Sequence, residues 1–172
     1  QFASAVMLIS PYARNDVTLI PVKIKSLPYL TITWLLIREF GARGEFDGKA
    51  YIIKAGNGFQ AREYTVEGDW TSASYFMVGA AISNSTVTIF NLKENSIQGD
   101  SKIVSLLSKM GCKIEVKSQS IQVTGGNLNP ITVDLGENPD IVPSLSVAAA
   151  FANGKSMFNN IGHLVYKESN RL

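Results

Sequence analysis

The 172 residues, 45% of them apolar, are enough to bury a sizeable core and by length make one domain or two small ones. Sixteen basic against 14 acidic residues leave a net charge of +2, and no basic run with interleaved aromatics suggests a nucleic-acid groove, so no nucleic-acid partner is expected while an anionic small molecule stays open. One cysteine, Cys112, excludes a disulfide framework and a four-ligand zinc site of the cysteine type, and no segment approaches the ~20 apolar residues of a membrane span.

In chain order, FASAVMLIS (2–10) reads as an apolar helix rich in small residues, and VTLIPV (17–22) as a β-branched strand. A second helix runs from Leu27 to Phe40 and stops at Gly41, a C′ glycine. AYIIK (50–54) and REYTVE (62–67) follow as short strands. A boundary is expected near Glu67 to Trp70, dividing 1–66 from 67–172, although no Pro- or Ser-rich linker marks it. The next helix, Asp69 to Ile82, has Asp69 at the N-cap; strand TVTIFN (86–91) and a helix from Ser101 to Met110 before Gly111 come after it. KIEVK (113–117), SIQVT (120–124) and ITVDL (131–135) read as strands, with Cys112 as a buried strand residue. Asp140 then stands at the N-cap of a helix reaching Ala152, with Pro143 in its first turn, and SMFNNI (156–161) is the last strand. Gln1 opens straight into apolar residues and Leu172 follows a helix start, so a fragment of a longer protein is expected.

The chain repeats. At an offset of 70, Val17/Val87, Thr18/Thr88, Ser26/Ser96, Leu36/Leu106 and Gly41/Gly111 are identical, and an offset near 69 carries Ala80 to Leu92 onto Ala149 to Ile161. The unit reads as βαβαββ, an α/β (α+β) class, with about two and a half copies present. By this register a further helix begins near Lys167, which would put Lys167 and Arg171 on one helix face.

SLPY (26–29), YTVEGDWTSASYF (64–76), NSIQGD (95–100), NPDIVPSLSVAAAFANG (138–154) and KESNR (167–171) occur in an order and spacing that resemble the middle of the 5-enolpyruvylshikimate-3-phosphate synthase family. The resemblance implies an inside-out α/β barrel fold in two domains, each of three βαβαββ units, with helices inside, sheets outside and a cleft between. It implies transfer of the enolpyruvyl group of phosphoenolpyruvate to the 5-hydroxyl of shikimate 3-phosphate by addition and elimination, releasing phosphate, with no metal and no organic cofactor. A cytoplasmic enzyme, monomeric when full length and without a membrane partner, is expected. The fragment alone is expected to be inactive.

Site residues carry over one at a time. Asp140 matches the aspartate that handles the proton of the target hydroxyl, though alone it reads as an N-cap. Glu168 matches the glutamate of proton transfer at the methylene carbon, though alone it reads as a solvated acid in a first helical turn. Two carboxyl groups flanking the reacting centre suit a reaction in which both proton transfers reverse. Lys167 matches a contact to shikimate 3-phosphate and Arg171 a grip on phosphoenolpyruvate; alone they read as a solvated face. Ser26 either caps the helix it precedes or meets a phosphate there, the reading preferred. Gln1 matches a substrate-contacting glutamine and Tyr29 a tyrosine near the shikimate ring, while His163, where the family often has Asn, reads equally as a substrate contact or a structural residue. Asn170 and Val165 depart from the usual Asp and Arg, which puts in doubt the support behind Arg171 and Glu168. Two alternatives stand beside this reading: a UDP-N-acetylglucosamine enolpyruvyl transferase, which shares the aspartate but lacks the KES-like motif, and a non-catalytic, repeat-built binding module.

Overall fold

The computed structural model describes residues 1–22 and 27–172. They form two compact units, Gln1–Thr65 and Val66–Leu172, both mixed α/β.

The first unit contains helix α1 (Phe2–Ile9), strand β1 (Val17–Leu19), helix α2 (Leu27–Glu39) and strands β2 (Gly44–Phe46) and β3 (Tyr51–Ile53). In α2, Leu30, Trp34 and Ile37 are buried, the i, i+4, i+7 stripe of a helix lying on a core. They pack with Met7, Tyr51 and Ile53, and the Trp34 and Tyr51 rings meet edge to face at 5.3 Å. Gly41 ends the helix at φ +90°, where a side chain would be strained. Strand order is β1-β3-β2, antiparallel throughout. The sequence reading missed β2, because GEF carries no β-branched residue and admits its glycine for a steric reason: a Cβ on Gly44 would stand 2.3 Å from the Ile52 carbonyl oxygen. It also placed a strand at REYTVE, where there is none. There Arg62 turns back, donating to the Glu39 carbonyl at 2.6 Å, and Tyr64 lies against Phe40, so side-chain contacts to the end of α2 replace a ladder.

The second unit runs α3 (Trp70–Ile82), β4 (Thr86–Phe90), α4 (Ile103–Lys109) after a 3-10 turn at Gly99–Lys102, β5 (Lys113–Lys117), β6 (Ser120–Thr124), β7 (Thr132–Asp134), α5 (Val142–Ala150) and β8 (Met157–Asn159). Asp69 caps α3, accepting from the amides of Thr71 and Ser72. Trp70, Met77, Ile103, Leu106, Leu107, Met110, Ile121, Val123 and Leu145 form the centre of its core, with Cys112 buried beside them. Each such side chain contributes ~1.5–3 kcal/mol by leaving water. Gln122 alternates outward between buried Ile121 and Val123, the period of a half-buried strand.

Strand order β4-β6-β5 is again antiparallel, and its register repeats that of the first sheet at the offset of 70: Val17 faces Ile53 and Val87 faces Val123, while Phe46 faces Tyr51 and Val116 faces Ile121. ITVDL does not join this sheet. Its strand β7 pairs in parallel with β8, Val133 opposite Phe158, with α5 as the crossover.

Two expected helix starts are corrected. The helix expected from Asp140 begins at Val142, after a 3-10 turn at Pro139–Ile141, with Pro143 in its first turn as read. Near Lys167 there is no helix: a 3-10 turn at Gly162–Tyr166 ends in extended backbone at Lys167, and the amides of both Lys167 and Arg171 point to the Leu164 carbonyl at 3.4 Å.

Candidate functional site

Asp140 is not a helix cap. Helix α5 has no side-chain cap bond, and the Asp140 carboxylate is occupied by cations instead. Lys167 Nζ donates to both of its oxygens, at 3.1 and 3.2 Å, and Arg171 Nη1 donates to Oδ1 at 2.9 Å. Arg171 Nη2 donates in turn to Glu168 Oε2 at 2.8 Å, so the guanidinium bridges the two carboxylates. The side chains of Asp140, Lys167 and Arg171 are 21%, 26% and 25% exposed, and Glu168 is 78% exposed.

The local chain explains how residues 27 and 31 positions apart meet. Leu164, fully buried, anchors the turn at Gly162–Tyr166, and its carbonyl gathers the following loop, so Lys167 and Arg171 converge without a helix between them. Asn170, the departure from the family Asp, accepts the Leu172 amide at 3.0 Å and closes a local turn. Val165 is exposed.

Electrostatics follow from this geometry. The Glu168 carboxyl lies below the usual glutamate range, first through a hydrogen bond from its own backbone amide and then through the nearby charge of Arg171. The Arg171 guanidinium is pushed up, chiefly by its hydrogen bond to Asp140. Among the described residues, the two cations and two carboxylates sum to zero, so these four side chains neutralise one another.

The structure therefore brings Asp140, Lys167, Glu168 and Arg171 together in the second unit. His163 is in the turn that precedes Lys167, and its Nε2 is buried with no hydrogen-bond partner among the described residues. Gln1 and Tyr29 belong to the first unit, Gln1 exposed at the start of α1 and Tyr29 in the first turn of α2. Ser26 lies outside the described residues. Sequence reasoning assigned no role to Asn138, which is buried and donates from Nδ2 to the Gly99 carbonyl at 2.8 Å, or to the buried hydroxyls of Ser74 and Ser144, 2.8 Å apart.

Among the described residues no group of three His, Cys, Asp or Glu side chains could hold a metal ion, and no helix is long and apolar enough to cross a membrane.

The family described as EPSP synthase (3-phosphoshikimate 1-carboxyvinyltransferase) matches residues 1–172. Among curated relatives, the 3-phosphoshikimate 1-carboxyvinyltransferase of Methanocella arvoryzae is 38% identical over 175 residues and that of Methanococcus maripaludis strain C6 is 35% identical over 178, each match taking in 100% of this chain. The chain spans 41% and 42% of their lengths. Among solved structures, an EPSP synthase from Acinetobacter baumannii matches with a TM-score of 0.75 at 23% identity, over 98% of this chain and 40% of that one. The enolpyruvyl transferase NikO from Streptomyces tendae matches at 0.67 and 16% identity, over 96% of this chain and 42% of that one. At these identities the structural likeness establishes a shared fold.

Proposed function

The chain belongs to the EPSP synthase family, and from that premise we propose that it is part of an enzyme that moves the enolpyruvyl group of phosphoenolpyruvate onto the 5-hydroxyl of shikimate 3-phosphate. The hydroxyl oxygen bonds to the central carbon of phosphoenolpyruvate while the methylene carbon takes a proton. Phosphate then leaves as the resulting methyl group gives a proton back. The observation that carries the reading is the convergence of Lys167 and Arg171 on Asp140, with Glu168 on the other side of the same guanidinium.

Asp140 takes the proton of the attacking hydroxyl and Glu168 serves the methylene carbon. Lys167 meets shikimate 3-phosphate and Arg171 meets phosphoenolpyruvate. Gln1, Ser26, Tyr29 and His163 add contacts to the substrates. In the resting cluster the carboxylates occupy the cations that the substrate anions need, so ligand binding exchanges one set of ion pairs for another. That exchange frees both carboxylates for proton transfer at the moment the anions arrive. The two units, divided after Thr65, are read as parts of the two family domains. Because the chain spans about two-fifths of its relatives, it is read as inactive by itself. A reducing cytoplasm suits its single cysteine, which is free and buried.

In a full-length enzyme carrying this chain, Asp140→Asn and Glu168→Gln should each lower kcat by at least ~10²-fold, the scale of a positioned acid or base. Unchanged turnover in either variant removes that residue from the mechanism. Thermal stabilisation by shikimate 3-phosphate and not by UDP-N-acetylglucosamine is the expected ligand signature, since only a ligand of the native state stabilises it by mass action; the reverse pattern would assign the chain to the other enolpyruvyl transferase.

A further inference from the structure

Asp140 sits in a three-residue 3-10 turn whose first position has no side-chain cap, and the helix that follows has none either. A single turn has little stability of its own, and the bonds from Lys167 and Arg171 hold only the carboxylate, so contacts elsewhere must fix the backbone that carries it. Two tethers flank it. Upstream, Asn138 is buried and its Nδ2 donates to the Gly99 carbonyl at 2.8 Å. Downstream, Ser144 Oγ lies 3.0 Å from the carbonyl of Ile141, the residue after Asp140, and 2.8 Å from Ser74 Oγ, which itself lies 2.6 Å from the Thr71 carbonyl.

The two hydroxyls have two protons for three contacts, so one contact at a time goes without; with Ser74 donating to Ser144 and Ser144 to the Ile141 carbonyl, the pair forms a relay that ends on the turn. The Thr71 hydroxyl then donates to the buried Asp100 carboxylate. Asp100 directly follows Gly99, where the upstream tether ends. Both tethers thus run from the Asp140 turn to the one 3-10 turn that opens α4.

We propose that Asn138, Ser74 and Ser144 are positioning residues for Asp140, holding the turn that carries its carboxylate where Lys167 and Arg171 meet it. The proposal rests on the catalytic role given to Asp140 above. Stability alone does not call for the serine pair: replacing both members of a buried hydroxyl pair by alanine leaves two carbonyls to accommodate but no orphaned donor, which is close to neutral for folding. A positioning role makes a different demand, because a displacement of about 1 Å at a reacting group costs ~10²-fold in rate.

The test uses a full-length enzyme carrying this chain, with kcat, KM and the thermal midpoint measured for Asn138→Ala, for Ser74→Ala with Ser144→Ala, for Ser144→Thr and for Asp140→Asn. Leu145→Ala serves as a control, since Leu145 is buried in the same helix and makes neither tether. The tether variants should lower kcat by about 10- to 100-fold with KM little changed, Ser144→Thr should recover most of the loss, and Leu145→Ala should lower the thermal midpoint without a comparable fall in kcat. Wild-type kcat in the tether variants beside an impaired Asp140→Asn overturns the tethers alone. An equal kcat loss in Leu145→Ala does so too. Wild-type kcat in Asp140→Asn overturns the role of Asp140 and the tethers with it.

Discussion

On the role proposed for Asp140, replacing it with asparagine should tighten anion binding even as it lowers kcat. The substitution takes the four-charge cluster from zero to +1 and removes the carboxylate that now lies 2.9–3.2 Å from the Lys167 and Arg171 nitrogens. At an effective dielectric near 20, two unit charges 4 Å apart interact by about 4 kcal/mol. Each side chain concerned is a fifth to a quarter exposed, and an incoming phosphate gives up hydration to pair with the freed cations. The net gain should therefore be ~1–2 kcal/mol, or roughly 5- to 30-fold in affinity. Calorimetric titration of inorganic phosphate into the chain and into Asp140→Asn, at low ionic strength and pH 7, reads this directly. Raising the salt to ~1 M, where the Debye length falls to ~3 Å, should erase most of the difference. Phosphate affinity that is unchanged or lower in a folded Asp140→Asn chain would refute the view that this carboxylate competes with ligand for Lys167 and Arg171.

Other outcomes follow from elements outside the cluster. Asp69→Ala should destabilise the second unit by about 1 kcal/mol at pH 7, read from urea unfolding. Burial pushes the Asp69 carboxyl up, but hydrogen bonds from Ser72 and Thr71 outweigh it and hold the group below its usual value. The cap therefore stabilises fully above the unfolded value of ~3.9 and is lost as pH falls through the lower folded value; a penalty that grew with acid would contradict this. Gly44→Ala should cost ~1–3 kcal/mol, because its Cβ meets the Ile52 carbonyl oxygen at 2.3 Å. Gly48→Ala meets nothing within 4 Å and bears only the strain of φ +92°, ~1–2 kcal/mol; equal urea midpoints for wild type and Gly44→Ala would show that β2 and β3 part at little cost. Burial raises the Cys112 thiol above its usual pKa, so a disulfide reagent at pH 7 should react slowly with the native chain and rapidly in denaturant, whereas fast native labelling would place Cys112 at the surface.

Much of the fold was legible because local chemistry and tertiary packing agree where the core is thick. Helix α3 has a cap and an apolar run, α2 has its stripe of Leu30, Trp34 and Ile37 and its terminal Gly41, and the offset of 70 survives into the sheet registers. Legibility failed where distant partners decide. REYTVE has the composition of a strand, yet its arginine finds Glu39 and no neighbouring strand. Asp140 has the spacing of a cap, yet two cations about 30 residues further on claim it. Lys167 and Arg171 have helical spacing, yet the Leu164 carbonyl organises them through a turn. The members of the cluster were found through family motifs, not through periodicity, since four charged residues in a hydrophilic context read by themselves as solvent-facing. Asn138, Ser74 and Ser144 escaped because small polar residues in or before a helix look like neutral filler until a partner is seen.

Two sheets with one strand order and one register in a single chain create a hazard during folding, because β4 meets two templates of the same shape, β6 and β3. Mispairing of this kind is the characteristic trap of duplicated sequences. Shape does not distinguish the templates; the side chains facing out of each ladder do. In the correct pairing, Gln122 of β6 donates to the Thr88 hydroxyl of β4 at 2.9 Å, and Thr86 bonds Thr124. On β3 the residue at the Gln122 position is Ile52, so a misplaced β4 would lose the Gln122–Thr88 bond and set Thr88 against an apolar side chain. The divergence between the copies along these exposed rungs thus acts as an address, directing each strand to its own sheet before the cores close.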